Sequence, residues 1–115
     1  MVVRKLVVKV WCLPRQTEAQ LQSLHRALVA ATVTPDIGVK GENDMMVLFP
    51  PDMMDYGLGS EILVEVSHLP AIPPTMPYRE YEALKSQLGT NLKMILEQRF
   101  PGAHVQGGFV RSDDF

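Results

Sequence analysis

An α+β fold built from two tandem β-α-β units is predicted by three observations. Four short segments show period-two alternation or stop at turn signals, and two longer segments repeat apolar residues at three-and-four spacing. These run strand, helix, strand, strand, helix, strand, each unit taking about half the chain. Right-handed crossovers then place both helices on one face of a four-stranded sheet. The 115 residues suit one domain spanning 1–115.

The first strand is expected over 2–11. Leu6, Val8 and Val10 alternate with Lys5, Lys9 and Trp11, while Val7 adds an apolar residue to the outer face. That pattern suits a sheet covered on one side and partly covered on the other. After Leu13-Pro14-Arg15-Gln16, Thr17 and Gln20 form a T-x-x-Q capping box that opens a helix. Leu21, Leu24, Ala27, Leu28 and Ala31 make its inner stripe, and it should fade at 32–34 because Pro35 disfavours helical geometry in the residue before it.

Residues 36–44 read as a polar connection with Gly38, Lys40 and Gly41. The next strand, 45–49, is stopped by Pro50-Pro51, and a loop carrying Asp52, Met53, Met54, Asp55, Tyr56, Gly57 and Gly59 leads to a strand at 62–68. Ile62, Val64 and Val66 share one face of that strand. Four prolines within 69–77 make a stiff link. The second helix, 78–100, carries Tyr81, Leu84, Leu88, Leu92, Ile95 and Leu96 inward, with Gly89 inside it at about 1 kcal/mol against Ala unless close packing uses it. Pro101-Gly102 closes the helix. The last strand, 104–110, contains Gly107-Gly108, which predicts a bulge or bend.

Composition removes several classes of function. A net charge of −2 with both signs interspersed gives no basic footprint for nucleic acid. No run approaches the ~20 apolar residues of a membrane span, and Arg4, Lys5 and Lys9 interrupt the apolar N-terminal run, which excludes a signal peptide. The lone Cys12 excludes an internal disulfide and Cys-cluster zinc sites. A cytoplasmic protein is expected.

The sharpest local pattern is Val47–Ser67: a strand ending in Pro51-Asp52, a Met-containing, Gly-rich turn, Ser60-Glu61, and a strand closing on Val66-Ser67. With Leu13-Pro14-Arg15 and the element order along nearly the whole chain, it resembles the tautomerase superfamily, in the size class of macrophage migration inhibitory factor. The resemblance implies a homotrimer around three sheets, a small-molecule carboxylate ligand, and no metal or organic cofactor. It also implies an N-terminal Pro whose amine shuttles a proton between carbon and oxygen, its pKa lowered by a hydrophobic pocket. Here Met1 and Val2 stand at the start instead.

Counting back from Leu13-Pro14-Arg15 puts Arg4 or Lys5 where the Pro would stand. Lys5 and the α-amino group of Met1 are therefore the candidate catalytic amines, and the ordinary alternative for Lys5 is a strand lysine with its ammonium in water. Lys40 falls where the resemblance expects a pocket lysine for a carboxylate or enolate. Arg4 and Ser67 are further substrate-binding candidates, and Arg4, Arg15 and Arg111 could each clamp a carboxylate. His68 reads as a strand-end surface histidine, His25 as partly packed, and His104 as without a partner signal. Two functions follow: a keto–enol tautomerase or isomerase of small 2-oxo acids, or a trimer that kept the fold and lost the chemistry. A ferredoxin-like ligand-sensing or RNA-binding domain has the same element order, but paired aromatics on the strands are lacking.

Overall fold

The computed structural model describes residues 5–51 and 61–109. Strand β1 (Leu6–Trp11) buries Leu6, Val8 and Val10 completely and turns Val7, Lys9 and Trp11 to the other face, as period-two alternation requires. Helix α1 (Glu18–Thr32) starts on the expected capping box: the Gln20 N–H donates to Thr17 Oγ1 at 3.2 Å, and the Thr17 N–H donates to Gln20 Oε1 at 2.8 Å. Two of the helix's orphan donors are thereby satisfied. Leu24, Leu28 and Thr32 form its most buried edge, and Thr32 donates its hydroxyl to the Leu28 carbonyl, which lets a polar residue sit fully inside.

Strand β2 (Met45–Leu48) runs parallel to β1, with Leu6 opposite Met45 and Lys9 opposite Leu48. Strand β3 (Glu61–Ser67) runs antiparallel to β1 on its other side, Val8 facing Val66 and Val10 facing Val64. Helix α2 (Tyr78–Arg99) then crosses back, and β4 (His104–Phe109) pairs parallel to β3. The sheet order is β2-β1-β3-β4, a four-stranded mixed sheet with two helices. Alternate residues of every strand join Leu24, Leu28, Leu88, Leu92 and Leu96 in one apolar cluster.

Two expectations are corrected. Residues 36–44 do not form a merely polar connection: they fold into 3₁₀ turns at Pro35–Ile37 and Glu42–Asp44, and Ile37 and Val39 are buried. Gly38, at φ 88°, ends the first turn, and Thr34 bridges back to Val39. Nor does β4 carry a bulge, because its register against β3 is continuous from His104 to Phe109. Gly107 serves close approach instead. A Cβ there would stand 2.6 Å from the Val64 carbonyl oxygen.

The proline-rich link is tied to α2 by the Tyr81 hydroxyl, which donates to the Pro70 carbonyl. Outside the core cluster, the opposite face of the sheet shows Met46, Leu48 and Leu63 at 44%, 38% and 43% exposure. The Trp11 indole lies on that face beside Leu63, and its N–H is buried without an acceptor among the described residues.

Candidate functional site

A hollow of about 670 Å³ opens where β1 begins and β3 ends. The antiparallel β1–β3 pair, with Val7 opposite Ser67, brings Lys5, the residue before β1, and His68, the residue after β3, to one end of the seam. The wall across from them is the folded connection after α1, contributing Ile37, Val39, Asn43 and Asp44. Pro70 and Ala71 of the stiff link complete it. Lys5 is exposed at its edge.

His68 has two unusual properties. Its backbone is left-handed, at φ 58°, a conformation that costs a non-glycine residue about 1–3 kcal/mol. Its Nδ1 is shut off from solvent and has no hydrogen-bond partner among the described residues. Leaving a buried ring nitrogen without a partner costs about 1–3 kcal/mol, whether it would donate or accept.

The expected site residues divide. Lys5 lines the hollow. Ser67 is half-buried on β3 opposite Val7, on the helix-free face. Lys40 is exposed and is not among the lining residues, and its backbone N–H donates to Asp44 Oδ2 at 3.0 Å. That bond occupies part of the carboxylate that Asp44 brings to the hollow. Arg15 is exposed. Met1, Arg4, Arg111 and the loop at 52–60 lie outside the described residues.

Sequence reasoning weighed His68 and read it as a strand-end surface residue, and it did not single out Asn43. His68 stands at the close of a strand and directly before Leu69-Pro70, and histidine is enriched among left-handed residues, which was the available signal. Asn43 sits in a 3₁₀ turn that the sequence did not announce. No group of three His, Cys, Asp or Glu side chains that could hold a metal occurs among the described residues. No described helix is long and apolar enough to cross a membrane.

Solved structures share the fold. Malonate semialdehyde decarboxylase superposes with a TM-score of 0.57 at 21% identity, over 95% of this chain and 88% of that one. The macrophage migration inhibitory factor of Toxoplasma gondii gives 0.55 at 16% identity, over 91% and 88%. A 5-carboxymethyl-2-hydroxymuconate delta-isomerase gives 0.52 at 13% identity, over 95% and 82%. The chain has the tautomerase-superfamily fold. No family model matches the sequence. No curated protein matches it either.

Proposed function

We propose that this chain is a tautomerase-like isomerase of small 2-oxo acids whose site is the hollow at the start of β1. One observation carries the reading: an amine, Lys5, borders a hollow that is also lined by His68, whose Nδ1 is buried and unpartnered among the described residues. In this role the Lys5 ammonium delivers a proton to the β-carbon of an enol while the enol hydroxyl gives up its own. The amine then recovers that proton, so nothing is consumed. The His68 ring and the Asn43 amide serve as donors to the carboxylate or the developing oxyanion. The Met1 amine and Arg4 are further candidates for base and clamp, with Lys40 and Ser67 at the margin. No metal or organic cofactor enters this chemistry.

The same reading makes the single 1–115 domain a cytoplasmic homotrimer that binds neither nucleic acid nor membrane. Met46, Leu48 and Leu63 on the helix-free face, together with the orphaned Trp11 N–H, support burial of that face against other copies. A second reading, a trimer that binds ligands without turnover, is favoured by the position of Lys40 outside the hollow.

Ketonisation of phenylenolpyruvate by the wild type, Lys5→Ala, His68→Ala and Lys40→Ala decides between them, with oligomeric state followed by sedimentation. The isomerase reading expects activity that falls at least ~100-fold in Lys5→Ala, the lower range for loss of an acid–base group. His68→Ala should mainly raise KM, and Lys40→Ala should change little. An intact trimer with no rate above buffer sinks the isomerase reading for this substrate.

A further inference from the structure

Gly89 sits in the interior of α2, where glycine costs about 1 kcal/mol relative to alanine. Packing does not require it. A Cβ at this position would meet only the Phe109 ring, at 3.7 Å, an ordinary van der Waals contact. Across the gap, Gly107 is required by the Val64 carbonyl oxygen, as described above. Between these two glycines lies a hollow of about 300 Å³. Its floor is Val64, Val66, Leu92 and Val105, all buried core residues.

The rim is cationic. Lys85 and Lys93 of α2 both border the hollow. Lys85 is engaged, 3.6 Å from a Glu82 carboxylate oxygen and 5.3 Å from the centre of the Phe109 ring. Lys93 is exposed and has no ion-pair partner among the described residues. No residue lining this hollow lines the one at Lys5, so the two are separate places in the fold.

We infer that the hollow between α2 and β4 binds a small amphipathic carboxylate. Its hydrocarbon part lies on the valine–leucine floor that Gly89 leaves open, and its carboxylate faces Lys93. The volume is at the lower end of ligand pockets, which suits an alkyl or single-ring acid. An apolar floor with a single charged anchor at its mouth supplies affinity from burial and orientation from the ion pair.

The test is calorimetric titration of the full chain with octanoate and, in parallel, with octanol. Saturable octanoate binding is expected, with octanol weaker by about tenfold, the equivalent of ~1.4 kcal/mol. Lys93→Gln should bring octanoate down to the octanol level. Gly89→Leu should abolish binding of both, and Gly89→Ala, which the Phe109 contact accommodates, should weaken both while raising Tm. Absence of saturable heat with octanoate overturns the proposal, as does wild-type affinity in Gly89→Ala. Equal affinity for octanoate and octanol overturns the charge assignment. A change in sedimentation of ligand-free Gly89→Leu, with its circular dichroism unaltered, assigns the hollow to a subunit contact and overturns it too.

Discussion

The two β-α-β units follow one plan and close it differently. In each, the inner strand ends on a left-handed residue, Cys12 after β1 and His68 after β3, before the chain turns away toward its helix. The first helix is held at its start by the Thr17–Gln20 box. The second begins after Pro77 with no side-chain cap, and is tied down by Tyr81 reaching back to Pro70. Beyond α1, two 3₁₀ turns put Ile37 and Val39 into the core and frame the hollow at Lys5. Beyond α2 the chain turns tightly into β4, and glycines take side-chain bulk away. A shared topology thus yields one hollow bordered by polar groups and one with an apolar floor. Strand order decides where hollows can form, and the connections decide their chemistry.

Five substitutions break or sharpen that comparison. The largest effects should come from Leu28→Ala in α1 and Leu92→Ala in α2, both buried in one cluster. Each should cost about 2–5 kcal/mol. If the units share one core, urea unfolding stays a single transition in both variants. Two separated transitions in either variant would show units that unfold independently.

Gly107→Ala comes next, at about 1–3 kcal/mol destabilising, because its Cβ would stand 2.6 Å from a backbone oxygen that cannot swing aside. The contrast with Gly89→Ala, expected to stabilise by up to ~1 kcal/mol, separates a glycine the fold requires from one it does not. Thermal melts of the two single variants read both signs.

The smallest effect is Tyr81→Phe, about 1 kcal/mol for the lost bond to Pro70. It also has a pH signature. Burial, helped by the Glu82 carboxylate, raises the Tyr81 pKa above the ordinary 10.0. The folded chain therefore keeps this proton after the unfolded chain has begun to lose it. The associated stability is complete below pH 10.0 and is lost as pH rises through the folded value. Wild-type Tm should fall more steeply than that of Tyr81→Phe above that point, and parallel curves would rule the coupling out.

The sequence made the regular elements legible because each rests on local periodicity. The capping box, the α2 stripe from Tyr81 to Leu96 and the inward set Ile62, Val64, Val66 all appear where alternation and three-and-four spacing put them. Residues 36–44 were opaque, since Ile37 and Val39 are isolated apolar residues among polar ones and their burial depends on what packs over them. The Gly107-Gly108 pair misled for a related reason: a strand glycine reads the same whether it makes a bulge or admits a neighbouring backbone. Counting from Leu13-Pro14-Arg15 singled out Arg4 or Lys5, and Lys5 borders the hollow. The burial of His68 Nδ1 was not legible, because it arises where two strands from opposite halves of the chain meet.

That antiparallel β1–β3 seam has a consequence for how the protein is made. α1 and α2 can form from neighbouring residues within microseconds, and α1 can rest on the β1–β2 pair, but the two halves of the sheet join only when β1 and β3 have found each other. Each flanking pair is parallel and also needs a whole helical crossover before it closes. A nascent chain released from the ribosome only as far as β2 would therefore still display the edge of β1 that β3 later covers. The sheet can close only once residues 61–67 have emerged, so its central seam is made late in synthesis.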